Sequence, residues 1–340
     1  MDRSDTRRST RRSLLIGASA LALAPRFAFS QDKYPSRPIE FIVPWGAGGG
    51  ADQVARRLGK LLEADLKASL PVINVPGATG NTGMAKLLSG PPDGYSMAVF
   101  IADTLATLVG GKGRYKLSDI VPLGVMIRQP SGLFVKQDSK WKTFDDLLAD
   151  AKKSDIKVGV TGIGSADEMH VVAFNEKHGT RFRAVPFAAP GERYSSILGG
   201  HADVLVEQAG DVKSFLNSGQ MRPVLFFAEK PQIGYESTTL AGKYGVTIAI
   251  SQFRSIVVRA GTDPKQVVVL SDALERAART EDFRKYLVEE LAFADSFIPA
   301  KDAARFIAGE LSTIEANAPK KARAWTRRLA RGSGNSFLTR

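Results

Sequence analysis

Short apolar segments alternate with amphipathic segments along most of this chain. Residues 39–44 (IEFIVP) have the pattern of a buried strand, and in residues 51–66 Val54, Leu58 and Leu62 share one face of a helix. The same order returns at KVGVTG and the residues after it, and again at FRAVPF and DVLVEQ. Strands that alternate with helices predict an α/β fold built on parallel sheets.

Two long extended stretches interrupt this alternation, at residues 120–137 and 247–260. We predict that they are crossovers between two lobes, each a mainly parallel sheet flanked by helices, with a cleft between the lobes. The predicted first lobe comprises residues 31–136 and 256–319, and the predicted second lobe comprises residues 137–255. A chain of 340 residues is long enough to build a core in each.

Residues 1–30 have the pattern of an export signal. A basic start, MDRSDTRRSTRRS, precedes the apolar run LLIGASALALA, and Ala28 and Ser30 stand at the positions that a signal peptidase reads. The arginine pair in STRRSLL is typical of a twin-arginine signal. Because a membrane span needs about 20 apolar residues, this run is too short to be an anchor. We predict export to the periplasm with cleavage between Ser30 and Gln31.

The net charge of +12 is concentrated at the two ends of the chain. Residues 1–30 carry a balance of +4 and residues 320–340 carry +7, which leaves +1 for residues 31–319. A nucleic-acid-binding protein is expected to carry its basic surface on the fold, so we predict no nucleic-acid partner. Residues 320–340 are interpreted as a basic C-terminal tail.

The chain has no cysteine, which excludes disulfides and thiolate metal sites.

The segment VPWGAGGGADQVARRL connects the first strand to its helix through closely spaced glycines. Glycine lets a ligand approach the backbone, and the helix that follows presents free N–H groups and a positive dipole end. A second turn of this kind, VTGIGSADE, follows a strand of the other predicted lobe. Two such turns that face each other across a cleft could hold one anion from both sides, with hydrogen bonds to a charged group contributing about 1.5–3 kcal/mol each.

The run GAGGGA also satisfies the dinucleotide-binding pattern, so an exported or cytosolic dinucleotide-dependent enzyme is the alternative. That pattern requires an acid at the end of the second strand, and PVINV is followed by Pro76 instead. No Gly-Lys-Ser/Thr sequence follows the glycines, and Ser165 lacks a Gly-x-Ser-x-Gly elbow. We therefore predict a binding protein with no catalytic residues, no cofactor and no metal site.

Several segments together are similar to one family. YPSRPIEFIVPWGAGGGADQVARRL, NVPGATGNTGMAKLL, PPDGYSMAV and LGGHADV resemble, in order and spacing, the Bug (TctC-type) solute receptors of tripartite tricarboxylate transporters. The resemblance implies a two-lobed periplasmic binding protein, type II-like, that closes over a carboxylate held by backbone amides and hydroxyls. It also implies a small organic acid as solute and the membrane permease subunits of a tripartite transporter as partners. We expect a monomer.

The predicted ligand contacts come from both glycine turns and from the ends of neighbouring strands. Thr161 and Ser165 supply hydroxyls, Trp45 forms a cleft wall, and Glu207 meets an ammonium or hydroxyl of the solute. The full predicted set is Trp45, Gly46, Ala47, Gly48, Asp103, Thr161, Gly164, Ser165, Ala188 and Glu207. Asp52 is interpreted as a structural acid in the first turn of a helix. The sequence leaves open whether the solute is a tricarboxylate, a dicarboxylate, an aromatic acid, an amino acid or a neutral amide.

Overall fold

A computed structural model of the chain describes residues 34–109, 111–246 and 250–318. The chain groups into two units, Met1–Ser36 and Arg37–Arg340, and the fold described below is that of the second unit. The predicted export signal, residues 1–30, and the predicted basic tail, residues 320–340, lie outside the described residues. Both stay predictions.

The first lobe is built on a six-stranded sheet with the order β12-β4-β11-β3-β1-β2. Strand β1 is parallel to both of its neighbours, whereas β11 is antiparallel to β3 and β4, and β12 is antiparallel to β4. The prediction of a mainly parallel sheet is wrong for this lobe, because the strand that leaves the lobe and the strand that returns to it run in opposite directions side by side. The strands are β1 (Glu40–Val43), β2 (Val72–Asn74), β3 (Ser96–Ile101), β4 (Ile120–Gln129), β11 (Gln252–Arg259) and β12 (Ile298–Pro299).

The second lobe is built on another six-stranded sheet with the order β10-β9-β5-β8-β6-β7. Strand β5 is antiparallel to β8 and β9, and the other three pairings are parallel, so this sheet is also mixed. Its strands are β5 (Ser131–Lys136), β6 (Ile156–Val160), β7 (Phe182–Pro186), β8 (Val204–Gln208), β9 (Met221–Phe226) and β10 (Thr239–Leu240).

The chain passes from the first sheet to the second at Pro130, between β4 and β5, and is back in the first sheet by Gln252. The lobe boundaries predicted after residues 136 and 255 therefore lie a few residues late. Proline has no N–H group to continue a ladder of hydrogen bonds, which suits it to the point where one sheet ends and the next begins. The extended pattern of residues 120–137 hid this change, because both strands share it.

Helices cover the two sheets. Those packed in the first lobe are α1 (Gly50–Leu66), α2 (Asn81–Ser89), α3 (Ala102–Ala106), α8 (Pro264–Arg279), α9 (Glu281–Glu289) and α10 (Ala300–Asn317). Those of the second lobe are α4 (Phe144–Ala151), α5 (Ala166–His178), α6 (Pro190–Leu198) and α7 (Lys213–Asn217). Two of these helices begin at a capping hydroxyl, since the side chains of Thr143 and Thr280 accept the N–H groups of Asp146 and Phe283.

Helix α1 shows how the sequence pattern becomes packing. Val54, Leu58 and Leu62 are almost completely buried against the sheet, as their spacing predicts. Burying a side chain of this size stabilises the fold by about 1.5–3 kcal/mol each. The helix is thereby held firmly behind the glycine turn that precedes it, so the position of that turn follows from the packing of α1.

Candidate ligand-binding cleft

The glycine turn after β1 is stabilised by an acid of its own helix. The N–H group of Gly48 donates to Asp52 Oδ2 over 2.9 Å, at a backbone angle φ of +83° that favours glycine. Asp52 also accepts hydrogen bonds from Asn74 Nδ2 and Arg56 Nε. Burial by itself raises the pKa of Asp52, but these three hydrogen bonds outweigh it and lower the pKa below its ordinary value. Asp52 therefore has the structural contacts expected of it, and the Gly48 N–H group is already bonded.

The second glycine turn, between β6 and α5, is stabilised in the same way. Gly164 N–H donates to Glu168 Oε2, and both the N–H and the hydroxyl of Thr161 donate to Asp167 Oδ2. The hydroxyl of Ser165 caps α5 by accepting the N–H group of Glu168. These groups were predicted to bind the solute, and each has a partner inside its own turn. The reason is physical: the turn and helix start that expose such groups also place an acid within reach of them.

The two lobes touch along these turns. A Cβ atom added at Gly46 or at Gly49 would lie only 2.9 or 2.7 Å from the ring of Pro190, at the start of α6. In addition, the hydroxyl of Thr79 in the first lobe donates to the carbonyl of Ile163 in the second over 3.2 Å. The glycines are therefore required for the close approach of the opposite lobe, and the cleft is closed.

A small cavity of about 30 Å³ lies between the lobes behind this contact. It has room for roughly two water molecules at about 10–15 Å³ each. Four of the predicted residues line it: Trp45, Asp103, Thr161 and Glu207. The other predicted residues are not among those that line it: Gly46, Ala47, Gly48, Gly164, Ser165 and Ala188.

Two buried ion pairs form much of the cavity wall, and sequence reasoning missed three of the four partners. Arg193 of α6 donates through Nε and Nη2 to Glu207 Oε2 of β8, over 3.1 and 2.6 Å. Arg254 of β11 donates to Asp211 Oδ2 over 2.5 Å and thereby joins the two lobes. All four side chains are at most 5% exposed. The sequence did contain a signal for Arg254, which stands inside the apolar strand QFRSIVVR. A charged residue in such a strand is almost never buried without a partner, so an ion pair could have been expected there.

Two further acids meet across the lobe interface beside the ion pairs. Asp103, at the start of α3, accepts from Gln252 Nε2 over 2.5 Å, and its other oxygen accepts the N–H group of Asp167 over 3.3 Å. Both aspartates are almost completely buried. Sequence reasoning missed Asp167 and Gln252, because their neighbours in the fold are about 64 and 149 residues away along the chain.

Burial dominates the electrostatics of these carboxyl groups. It raises the pKa of Asp103 and of Glu207, and it raises the pKa of Asp167 strongly, with the charge of Asp103 adding to the effect. Burial also raises the pKa of Asp211 to about 7, because it outweighs the attraction of Arg254 and because Glu290 lies nearby. These four carboxyl groups are therefore harder to ionise in the closed cleft than in water.

The dinucleotide alternative finds no space in this arrangement. The pyrophosphate of a dinucleotide lies at the N-terminus of the helix that follows the glycines. Here the ring of Pro190 packs on Gly49, and a Cβ atom at Gly50 would overlap the Arg254–Asp211 pair.

Among the described residues, no group of histidine and acidic side chains is arranged to hold a metal ion. Within those same ranges every helix is too short or too polar to cross a bilayer.

Two α/β lobes with mixed sheets are also the fold of a solved TctC solute-binding protein and of a solved periplasmic transporter. A family model described as the tripartite tricarboxylate transporter family receptor matches residues 54–317. The chain therefore belongs to this family, which is a family of receptors, and the resemblance seen in the sequence is confirmed.

Individual relatives agree with this assignment. The chain is 28% identical over 312 residues to a protein of Cupriavidus necator encoded in the gbd 5' region, covering 90% of this chain and 95% of that one. The match to a protein of Agrobacterium vitis, also 28% identical, covers 62% of this chain and 61% of that protein's length.

Two solved structures show the same architecture. A TctC solute-binding protein from Polaromonas is 29% identical, with a TM-score of 0.62, over 84% of this chain and 98% of that one. MatC from Rhodopseudomonas palustris, solved with bound malate, is 20% identical, with a TM-score of 0.78, over 84% of this chain and all of that one.

Proposed function

We propose that this protein is a periplasmic receptor that captures a small organic acid between its lobes and delivers it to the membrane permease subunits of a tripartite transporter. The observation that carries the proposal is the cavity between the two lobes, which is lined by charged and polar side chains of both. Membership of the receptor family supports it, and so does the malate bound to MatC, whose fold is similar.

The solute has to enter while the lobes are apart, because the closed cavity of about 30 Å³ is smaller than an organic acid. Closure then brings the solute against groups from both lobes. Trp45 Nε1 is buried at the cavity and has no acceptor among the described residues, so it is ready to donate to a carboxylate. The guanidinium groups of Arg193 and Arg254 add positive charge at the same wall. By contrast, a carboxylate that used the N–H group of Gly48 would have to displace Asp52.

The test uses the mature chain, residues 31–340, and a panel of organic acids with and without amino groups. Acids that bind should raise the melting temperature, and small-angle scattering should show a more compact particle with saturating ligand. Trp45→Phe keeps the ring and removes the donor, so it should weaken binding about 5- to 10-fold, which is about 1–1.4 kcal/mol.

Trp141→Phe is the matched control, because Trp141 is also buried but donates to Asp150 within the second lobe. It should change stability and leave affinity for the acid unchanged. If no organic acid of the panel raises the melting temperature, the proposed function is wrong. If the two variants bind alike, the assignment of Trp45 is wrong.

Export is tested separately from binding. The protein recovered from the periplasm of a cell that makes the full chain should begin at Gln31 or within a few residues of it. N-terminal sequencing measures this directly. A chain that keeps its first thirty residues and stays in the cytosol would contradict the location that we propose.

A further inference from the structure

One acid from each lobe meets the other across the interface, beside the ion pair of Asp211 and Arg254. Glu290 follows the last residue of α9 in the first lobe, and its carboxyl group lies within hydrogen-bonding reach of the carboxyl group of Asp211 in the second lobe. Asp211 Oδ1 and Glu290 Oε2 are both buried, and neither has a hydrogen-bond donor among the described residues. Two carboxylates repel each other, whereas a single proton between them turns the contact into a hydrogen bond.

The backbone at Glu290 is held in place by the second lobe. A Cβ atom added at Gly210 would overlap the carbonyl group of Glu290, so the two chain segments are in direct contact. Lys213 Nζ of α7 donates to the carbonyl oxygen of Glu289 over 2.9 Å. The last carbonyl groups of a helix have no partner within the helix, and here a side chain of the opposite lobe supplies one. The closed arrangement therefore fixes the Glu290 carboxyl group in front of Asp211.

The charged groups around the two carboxyl groups leave one negative charge uncompensated. The guanidinium group of Arg254 bonds Asp211 Oδ2, so one buried base stands against two buried acids. The other ionisable side chains that face the pair are Glu207 of β8, Arg193 and Tyr194 of α6, Lys213 of α7, Tyr286 of α9, and Arg56, Arg57 and Lys60 of α1. Arg193 is paired with Glu207, and the three bases of α1 reach the solvent, which screens their charge.

The surroundings of Asp211 favour its protonated form. Burial raises the pKa of Asp211 to about 7, and the nearby carboxyl group of Glu290 adds to this effect, although Arg254 opposes it. A proton on Asp211 Oδ1 has an acceptor in Glu290 Oε2, which lacks any other donor among the described residues. The contact between the lobes is therefore complete only when one proton is bound.

We propose that Asp211 and Glu290 form a proton-dependent latch, in which one shared proton holds the two lobes closed and its loss lets them part. In the open form water reaches both carboxyl groups, and the pKa of Asp211 returns to its ordinary value of 3.8. The closed form is then favoured fully below about pH 4, and this preference is lost as the pH rises through 7. The latch goes beyond the proposed function, because it concerns the lobes themselves. Where closure encloses the solute of the proposed function, release becomes easier above about pH 7.

The first experiment measures the separation of the lobes in the mature chain without any ligand. The chain has no cysteine, so Ala85→Cys in α2 and Ser195→Cys in α6 create one exposed labelling site on each lobe. Energy transfer between two pH-insensitive fluorophores is recorded from pH 5 to pH 9. For one proton and a pKa of about 7, the ratio of closed to open molecules should fall about 30-fold between pH 5.5 and pH 8.5. An unchanged separation over this range overturns the proposal.

The second experiment removes the titration and keeps the shape of the pair. In Asp211→Asn the amide oxygen can still accept Arg254, and the NH₂ group can donate to Glu290 at every pH. The labelled variant should therefore stay closed from pH 5 to pH 9. Asp155→Asn is the matched control, because it removes the same charge from an exposed ion pair of the second lobe, and it should open as the wild type does. A pH response that persists in Asp211→Asn assigns the switch to another group and overturns the latch.

Glu290→Gln tests the same contact from the first lobe. Its amide NH₂ group can donate to Asp211 Oδ1, so this variant should also stay closed across the range, with circular dichroism as the check that it is folded. Opening of Glu290→Gln with the pH dependence of the wild type overturns the role of Glu290. Because no solute is used, a failed latch leaves the proposed function standing. Conversely, a protein that binds no organic acid can still open with rising pH.

Discussion

The glycine at the first position of α1 offers a direct test of how the lobes are joined. A Cβ atom at Gly50 would overlap Arg254 Nη2 and Asp211 Oδ2, the two atoms of the ion pair that links the lobes. The guanidinium group cannot move aside freely, because Gln129 Oε1 also holds it over 2.6 Å and the side chain is 3% exposed. Gly50→Ala should therefore break or distort the ion pair.

The expected cost follows from these contacts. Hydrogen bonds to charged groups contribute about 1.5–3 kcal/mol each, and breaking a buried ion pair costs about 3–5 kcal/mol. Replacing glycine by alanine in a helix returns up to about 1 kcal/mol. We expect Gly50→Ala to lower the free energy of unfolding by about 2–4 kcal/mol, measured by urea denaturation followed by circular dichroism.

Two comparisons make this result specific. Gly309→Ala, in α10, is the matched control, because an added Cβ atom there meets nothing within 4 Å; it should raise the free energy of unfolding by about 0.5–1 kcal/mol. In an Arg254→Met background the cost of Gly50→Ala should be smaller, because the guanidinium group is gone and only the overlap with Asp211 Oδ2 remains. The reasoning is refuted if Gly50→Ala is as stable as the wild type, or if its cost is the same in both backgrounds.

Three smaller predictions concern single side chains. Ser165→Ala removes the cap of α5 and should cost about 1 kcal/mol of unfolding free energy in urea denaturation, and Thr143→Ala should do the same for α4. The pKa of Asp211 is raised from 3.8 to about 7, so its contribution to stability is complete below about pH 4 and is lost as the pH rises through 7. Asp211→Asn should therefore remove up to about 4 kcal/mol of the difference in unfolding free energy between pH 4 and pH 8; an unchanged pH profile would contradict the raised pKa. Gly48→Ala should cost about 1 kcal/mol because its φ is positive, and Gly191→Ala, which has open space and no positive φ, should cost nothing.

The local features of the fold could be read from the sequence because short-range interactions produce them. The apolar face of α1 follows from the spacing of Val54, Leu58 and Leu62, and the start of α4 follows from the capping hydroxyl of Thr143. The fold class and the receptor family were likewise evident, since the alternation of elements and the order of several motifs are properties of the chain itself. Trp45, predicted as a cleft wall because it follows a strand end, lines the cavity between the lobes, and its contact with the solute stays a prediction.

The chemistry of the cleft depended on contacts between residues far apart in the chain. Arg254 meets Asp211 across 43 residues and Gln129 across 125, and no local pattern specifies either pairing. The same applies to strand direction, because the sequence does not show which distant strands come to lie side by side in a sheet. The glycine turns show the reverse case, because the sequence did not reveal that acids one helical turn further on accept hydrogen bonds from the N–H groups of Gly48 and Gly164. Short-range periodicity and capping therefore define the elements, whereas the charge of the site arises where two lobes bury distant side chains together.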